Sequence, residues 1–326
     1  MSDWSQLSVL VTGGTGSFGQ KFVEIVLKEK TPRRLIVFSR DELKQHDMAG
    51  RFKHPSLRFF LGDVRDRERV RRALVGVDLV VHAAALKQVP ACEYNPMEAV
   101  RTNIEGGANI IDAAIDRGVK KVLALSTDKA VSPVNLYGAT KLVAEKLVIQ
   151  GNTYAGATGT RFACVRYGNV IGSRGSVVPA FREQARRGEI TITDERMTRF
   201  WLSLDQGVRF VLASIERMKG GELFVPKIPS MRVTDLAAAI APSARTRVVG
   251  IRPGEKLHEM LLSEDEARHA RDMGDHYVVY PEFEWWSEEH LNGGKPLPDG
   301  FRYVSNDNPK WLNRDDLARL VRDSDA

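Results

Sequence analysis

The residues best able to do chemistry stand close together near the middle of the chain. Leu125-Ser126-Thr127-Asp128-Lys129 is followed at short range by Tyr137-Gly138-Ala139-Thr140-Lys141. Tyr137 and Lys141 are four apart, so on a helix they share one face, a turn from each other. A Lys ammonium beside a Tyr hydroxyl favours the phenolate and draws its pKa down from about 10. Such a phenolate can take the proton of a sugar alcohol while hydride departs from the same carbon. Tyr137 is therefore the expected base and Lys141 its support. Tyr-x-x-x-Lys alone recurs by chance on solvated helices. What singles this one out is the preceding apolar run Val122-Leu123-Ala124-Leu125, which reads as a buried strand ending at Ser126, Thr127, Asp128 and Lys129. Open α/β sheets bind their ligands at that edge. Asp128 and Lys129 add an acid and a base that a plain dehydrogenase does not require, so more than one chemical step is expected.

The elements that position these residues follow from the apolar pattern. Residues 7–12 read as a first buried strand, followed by Gly13-Gly14-Thr15-Gly16-Ser17-Phe18-Gly19 and an amphipathic helix to about Lys30, with Phe22, Ile25, Val26 and Glu29 at helical spacing. Gly13, Gly16 and Gly19 permit a tight turn, close approach to a pyrophosphate and close packing of helix on strand, with Thr15, Ser17 and Phe18 alongside. The second strand, Arg34 to Phe38, ends at Ser39-Arg40, where a cofactor lacking the 2′-phosphate finds an acidic residue for its ribose. Ser39 and Arg40 suit NADP, with Lys44 a further phosphate ligand; the competing reading leaves Arg40 exposed and gives the ribose to Asp41 or Glu42. A third strand, Leu57 to Leu61, ends at Gly62-Asp63-Val64, where Asp63 is placed to accept from an adenine amino group. A fourth, Val77 to His82, runs into Ala83-Ala84-Ala85-Leu86-Lys87, small residues that let a dinucleotide lie against backbone. Lys87 is read as a ligand to phosphate or sugar. Asn95-Pro96 opens a long helix to about Arg117, closed by Gly118. This alternation predicts an α/β fold, a doubly wound parallel (Rossmann) sheet with a smaller substrate-binding lobe.

Beyond the Tyr137 helix, Arg161 to Tyr167 reads as another strand, and Gly168 to Pro179 as the crossing to the second lobe. Residues 205–226, with helix Gln206 to Met218 and the run Leu223-Phe224-Val225, are expected to return to the main sheet. The division is then residues 1–168 with 205–226 as the dinucleotide-binding domain, and 169–204 with 227–326 as the substrate lobe and tail. From Glu264 the pattern carries little period: Trp285, Trp286, Gly293 and Gly294 sit among turns, and a final helix spans roughly Arg314 to Arg322. At 326 residues and a net charge of +6, the arginines are scattered, and the cluster Arg65 to Arg72 is interrupted by Asp66 and Glu68 as on a solvated helix face. No basic run interleaved with aromatics points to nucleic acid. No apolar run reaches about 18 residues, and the N-terminus shows neither a basic nor a hydrophobic leader segment, which predicts a soluble, cytoplasmic protein without a membrane partner. Cys92 and Cys164 are expected to be buried free thiols, and no metal is expected.

With these motifs the chain resembles the extended short-chain dehydrogenase/reductase family and, within it, the inverting UDP-N-acetylglucosamine 4,6-dehydratases that start pseudaminic acid synthesis. The resemblance is carried by Thr12 to Gly19, Ser39 to Lys44, Gly62 to Asp66, His82 to Pro90, Ser126 to Ala130, Asn135 to Lys141, Arg166 to Pro179, Thr193 to Trp201 and Arg252 to Glu259. It implies a redox-neutral sequence on one sugar nucleotide, UDP-N-acetylglucosamine, with NADP as cofactor. Tyr137, helped by Lys141 and Thr127, takes the 4-hydroxyl proton as hydride leaves C4; Lys129 removes the acidified C5 proton; Asp128 protonates the departing C6 oxygen; hydride returns to C6. Retaining relatives carry Asp-Glu where this chain has Asp128-Lys129, and inversion at C5 is taken from the resemblance. A lysine base needs its pKa brought down from about 10.4, to which Lys141 and the nicotinamide charge are expected to contribute. The competing reading pairs Lys129 with a surface carboxylate. The resemblance also places Leu125, Ser126, Ala83 and Ala84 along the cofactor. Around the UDP-sugar it places Lys87, Asn169, Val177, Thr193, Met197, Arg252 and Glu255, with Arg252 on phosphate and Glu255 on ribose hydroxyls. Arg199 is a further ligand or a structural residue. A homo-oligomer is implied. A UDP-sugar 4-epimerase, using the same Tyr and Lys without elimination, and a non-catalytic NADP-sensing protein are the alternatives.

Overall fold

The computed structural model describes residues 3–172, 177–283, 286 and 293–323. Its centre is a sheet into which the apolar runs fall as parallel strands: β1 (Ser8–Thr12), β2 (Arg34–Ser39), β3 (Leu57–Leu61), β4 (Leu79–His82), β5 (Lys121–Thr127) and β6 (Arg161–Tyr167). They lie in the order β3-β2-β1-β4-β5-β6, and Leu223–Pro226 adds in parallel beside β6, so residues 205–226 do return to the main sheet. Helices cover both faces, which is why these strands read as near-continuous apolar runs instead of alternating ones. All five residues of β1 are buried. The chain order reverses between β1 and β4, and a crevice opens there at the carboxyl ends.

The sheet does not stop at Leu223–Pro226. His276–Val279 pairs with it antiparallel, followed by Ala270–Asp272 and Lys295–Pro296, giving ten strands in all. The expected division, which gives 227–326 to the second lobe, is corrected here. Tyr277, Val278 and Tyr280 belong to the main core because their burial completes the face beside Phe224. Strands of two to four residues offer too few positions for an alternating pattern to show.

The second lobe has its own small core, with Ile190, Ile192, Met197, Trp201, Met231 and Leu236 at its centre. The terminal helix Arg314–Asp323 joins it through Leu317 and Val321. The expected crossing at Gly168 contains a two-residue strand, Asn169–Val170, paired parallel with Thr198–Leu202, before helix Val177–Ala185 begins. Residues 173–176 of that crossing, and Trp285, lie outside the described residues. The expected helix from Pro96 is present but not uniform: it passes through a π segment, Val100–Glu105, before Gly106–Asp116. A short helix, Val89–Tyr94, precedes it unforeseen. Among the described residues no helix is long and apolar enough to cross a membrane.

Candidate active site

At the crevice, buried hydrogen bonds fix the backbone that a dinucleotide would approach. The amides of Ala83 and Ala84 each donate to Thr12 Oγ1 at 3.1 Å, so the Thr12 hydroxyl spends its own proton on His82 Nδ1, 2.8 Å away. Burial, aided by the Lys141 charge, lowers the His82 pKa to about 3 and keeps the ring neutral. The Ala83-Ala84 backbone then lies so near Gly13 that a Cβ there would stand 2.9 Å from Ala84 Cα, and Gly13 also has a φ of +62°. A Cβ on Gly19 would meet Gly14 at 2.4 Å, so both glycines are dictated by contact. The helix Ser17–Glu29 starts at Gly16, which contributes no side chain to cap it, an arrangement suited to a pyrophosphate. Thr15 is buried and its carbonyl accepts from Gln20 Nε2.

At the adenosine end two expected ligands turn out to be engaged elsewhere. The Lys44 ammonium pairs with the Asp41 carboxylate, which also caps the helix Glu42–Arg51. Asp63 is gripped by the Arg65 guanidinium at 2.7 Å, with Arg40 at 3.7 Å. Burial works to raise the Asp63 pKa, but the Arg65 hydrogen bonds hold it below the carboxylate range. A residue and its neighbour two places on satisfy each other here, which sequence spacing does not reveal. Ser39 is buried at the end of β2 with its Oγ bonded to Gln45, Val64 packs against Gly106, and Arg40 keeps 57% of its side chain exposed.

The catalytic stretch sits where β5 ends. Asn135 caps the helix Leu136–Ala155 through the Gly138 amide and reaches Gly254 O at 2.7 Å, tying the two lobes together. A Cβ on Gly138 would be 2.1 Å from Lys129 O, so only glycine lets this helix lie against the strand end and bring Tyr137 beside Thr127. Asn103, on the π segment, clamps the β4 loop to the same helix: it bonds both backbone groups of Leu86 and Thr140 Oγ1. No motif in the sequence points to Asn103.

Two electrostatic expectations are overturned. Lys141 is buried, but its Nζ donates to Leu125 O at 2.6 Å, and burial lowers its pKa. Burial raises the Tyr137 phenol to about 12, and the influences pulling it down are the Lys129 charge and a hydrogen bond with Thr127. Lys129, expected to be depressed, is raised above the ordinary lysine range. Burial alone would lower it, but Asp128 Oδ1 at 3.1 Å and Glu259 Oε1 at 3.3 Å outweigh that. Its partners are buried carboxylates, 1% and 3% exposed, and not surface ones. Burial and the Glu259 charge raise Asp128, while Lys129, Arg199 and Lys256 hold Glu259 low against its own burial.

The space in front of this group is a cavity of about 570 Å³ lined from both lobes. Phe18, Ala83, Lys87, Leu125, Ser126, Thr127, Asp128, Lys129, Tyr137, Lys141, Asn169, Val177, Thr193, Met197, Arg252 and Glu255 all border it. The structure thus brings the expected catalytic and substrate residues together. Thr193 and Arg199 both donate to Met197 Sδ, and Arg199 also holds the carbonyls of Thr198, Lys256 and Leu257, a structural duty. Arg252 stands at the mouth, 63% exposed. Buried acceptor oxygens of Ser126, Asp128, Asn169, Glu255 and Glu259 have no hydrogen-bond partner. Leaving such atoms unpaired costs about 1–3 kcal/mol each, a cost that hydrogen-bond donors brought into the cavity they border would relieve. Like Asn103, Glu259 is given no role by the sequence reading, although it closes the resembling segment Arg252 to Glu259 and immediately precedes the strand Met260–Leu262.

Comparison with known proteins agrees with this geometry. The model of a family described as polysaccharide biosynthesis protein matches residues 9–281. The UDP-N-acetylglucosamine 4,6-dehydratase (inverting) of Campylobacter jejuni subsp. jejuni serotype O:2 is 49% identical, over 99% of this chain and 99% of its own. A protein of Rickettsia canadensis named UDP-glucose 4-epimerase is 44% identical, over 96% and 95%. Among solved structures, Pen from Bacillus thuringiensis superimposes with a TM-score of 0.91 at 36% identity, covering 99% of both chains. A match of that extent, on a Rossmann sheet with this catalytic stretch at its edge, means that the chain belongs to the polysaccharide biosynthesis protein family.

Proposed function

We propose that this protein is an NADP-dependent, inverting UDP-N-acetylglucosamine 4,6-dehydratase. The observation that carries this is the buried Asp128-Lys129 pair facing the same cavity as Tyr137. Exchange of hydride at C4 alone needs Tyr137 and a nicotinamide; an acid and a base beside them serve an elimination. The Rickettsia name favours a 4-epimerase, but that reading leaves the pair idle at a cost in desolvation.

A nicotinamide held along Ala83, Ala84, Leu125 and Ser126 would supply the hydride acceptor for C4 and the hydride donor for C6. Tyr137 accepts the 4-hydroxyl proton as the phenolate, having first lost its own proton to solvent; the Lys129 charge and the Thr127 hydrogen bond favour that form against burial. With a ketone at C4 the C5 proton becomes acidic, and Lys129 removes it as a free amine. That amine arises by moving the Lys129 proton across the 3.1 Å hydrogen bond to Asp128 Oδ1. The shift costs no net charge; the raised pKa of Asp128 narrows the gap to be crossed, against the raised pKa of Lys129, which widens it. It produces a base for C5 and an acid for the C6 oxygen in one step, and the C6 hydroxyl leaves as water. Return of a proton to the opposite face of C5 gives the inverted product.

NADP is favoured over NAD because β2 ends in Ser39-Arg40, while Asp41, the nearest acid, is committed to its helix cap and to Lys44. Lys87, Asn169, Val177, Thr193, Met197, Arg252 and Glu255 receive the UDP-sugar. Purified protein given UDP-N-acetylglucosamine and NADP should yield a product with a C6 methyl signal in its proton spectrum. UDP-N-acetylgalactosamine as the sole product would replace this reading with the epimerase.

A further inference from the structure

Glu259 is placed to do more than fill space. It is 2% exposed, and its backbone is pinned: the amide donates to Ser305 Oγ at 2.9 Å and the carbonyl accepts from the Ser305 amide at 2.8 Å. Ser305 is itself fully buried and bonded to Thr198 Oγ1 at 2.7 Å. The carboxylate thus reaches Lys129 from a rigid mount, at the start of a strand whose Leu261 and Leu262 are buried in the main core. One ammonium lies between two buried carboxylates, and each of these retains one oxygen without a hydrogen-bond partner. Their surroundings differ. Arg199 Nε stands 3.7 Å from Glu259 Oε1, the oxygen that Lys129 also approaches, and Lys256 adds a further positive charge to it. Asp128 hydrogen-bonds to Lys129 and the Thr127 hydroxyl and shares the Lys256 charge, but it lacks the Arg199 guanidinium.

We infer that Glu259 is a positioning residue for the elimination: it holds the Lys129 amine at a fixed place and, by remaining a carboxylate, leaves Asp128 as the group that takes the proton. Two carboxyls sharing a site cannot both carry full charge cheaply, and the one with more cationic neighbours stays ionised. Here that one is Glu259, so the proton leaving Lys129 has a single destination, the carboxyl next to the C6 oxygen. With Glu259 ionised, the working triad carries one proton shared by Asp128 and Lys129. This deepens the dehydratase reading and rests on it.

The groups facing the triad are Asp128 and Lys129 after β5, Tyr137 on the following helix, Arg199 on strand Thr198–Leu202, and Lys256 in the loop that leads to Glu259. His258 is turned to Thr198 Oγ1 at 2.8 Å. Removing the Glu259 charge makes the shared proton easier to lose and a second one harder to gain. Both limbs of the kcat profile therefore move to lower pH.

The test compares wild type, Glu259→Gln and Glu259→Asp on UDP-N-acetylglucosamine with NADP across pH. The Gln variant is expected to lose about 10- to 100-fold in kcat, with KM within about twofold. Its two limbs should shift down by about one pH unit or more. The Asp variant, which keeps the charge but withdraws it, should lose kcat about tenfold with its limbs near those of wild type. A Gln variant with the wild-type profile overturns the inference. If the Gln variant does not fold, the Asp variant decides: wild-type kcat overturns the inference, a lower kcat with unmoved limbs upholds it. Absence of the methyl product from wild type would instead overturn the dehydratase reading, so the two failures are separate.

Discussion

Replacing Lys129 by Met keeps the length of the side chain and removes its charge, which makes it the sharpest perturbation of the site. The ammonium lies 3.1 Å from Asp128 and 3.3 Å from Glu259. At an effective dielectric constant of about 20, one such contact is worth about 5 kcal/mol of attraction, much of it offset by the desolvation of the ions. Breaking a buried pair by removing one partner costs about 3–5 kcal/mol; with Lys129 23% exposed, the lower end, about 3 kcal/mol near neutral pH, is expected. The loss depends on pH. Without the ammonium, the Asp128 pKa in the folded state rises further above its unfolded value, and a group shifted that way destabilises as pH climbs through the folded value. The deficit of Lys129→Met should therefore shrink as pH falls from about 8 to about 5, in denaturant melts of both proteins run side by side. In the same variant, exchange of the C5 hydrogen with solvent should fall by about 100-fold or more, while NADP binding changes by less than about twofold. The Tyr137 phenol, deprived of the charge that most lowers it, should titrate above its present value of about 12. Normal dehydration by Lys129→Met would refute the assignment of the base. A stability deficit that grows toward acid pH would refute the electrostatics.

Other perturbations test the parts around it. Gly138→Ala puts a methyl 2.1 Å from Lys129 O, a backbone atom with no room to yield; thermal melts should show a loss of about 1–3 kcal/mol, and turnover should fall with it, whereas a neutral outcome would contradict the close approach of helix and strand end. Arg40→Ala should weaken NADP about tenfold in a titration and leave NAD nearly unchanged; equal effects on both would remove the basis for a 2′-phosphate contact. Arg166→Met strands Glu145 and Glu266, which now hold the buried guanidinium at 2.6 and 2.8 Å and tie helix Glu264–Ala267 to the main sheet, and should cost about 3–5 kcal/mol by denaturant melts. An unchanged midpoint would show that this triad does not hold helix Glu264–Ala267 to the main sheet.

The parts of the fold legible in the sequence are those where one local pattern decides. β6 occupies the predicted Arg161–Tyr167, because a parallel strand buried on both faces is a bare apolar run bounded by turns, and the edge strand β3 occupies the predicted Leu57–Leu61 although Arg58 and Leu61 are exposed. The glycine loop was readable because strand, glycines and helix are consecutive. The tail strands were not, since Ala270–Asp272 and His276–Val279 owe their existence to an edge supplied by Leu223–Pro226. At the site, residue types and their meeting place were legible, but the charges were not. Lys129 and Glu259 are 130 positions apart and meet only in the folded chain, where Glu259 joins Asp128 in reversing the direction of the Lys129 shift. Likewise, Tyr137 and Lys141 share a helix face as the spacing requires, but Leu125 O captures the Lys141 ammonium.

The most direct test of a hydride that leaves C4 and comes back at C6 is to follow it. UDP-N-acetylglucosamine carrying deuterium at C4 is incubated in ordinary water with a catalytic amount of NADP and no added reductant, and the product is read by mass and by proton and deuterium spectra. The account predicts full turnover, with the C4 deuterium found in the C6 methyl group and a solvent proton at C5. A methyl group free of deuterium, or turnover that stalls until reductant is supplied, would contradict it.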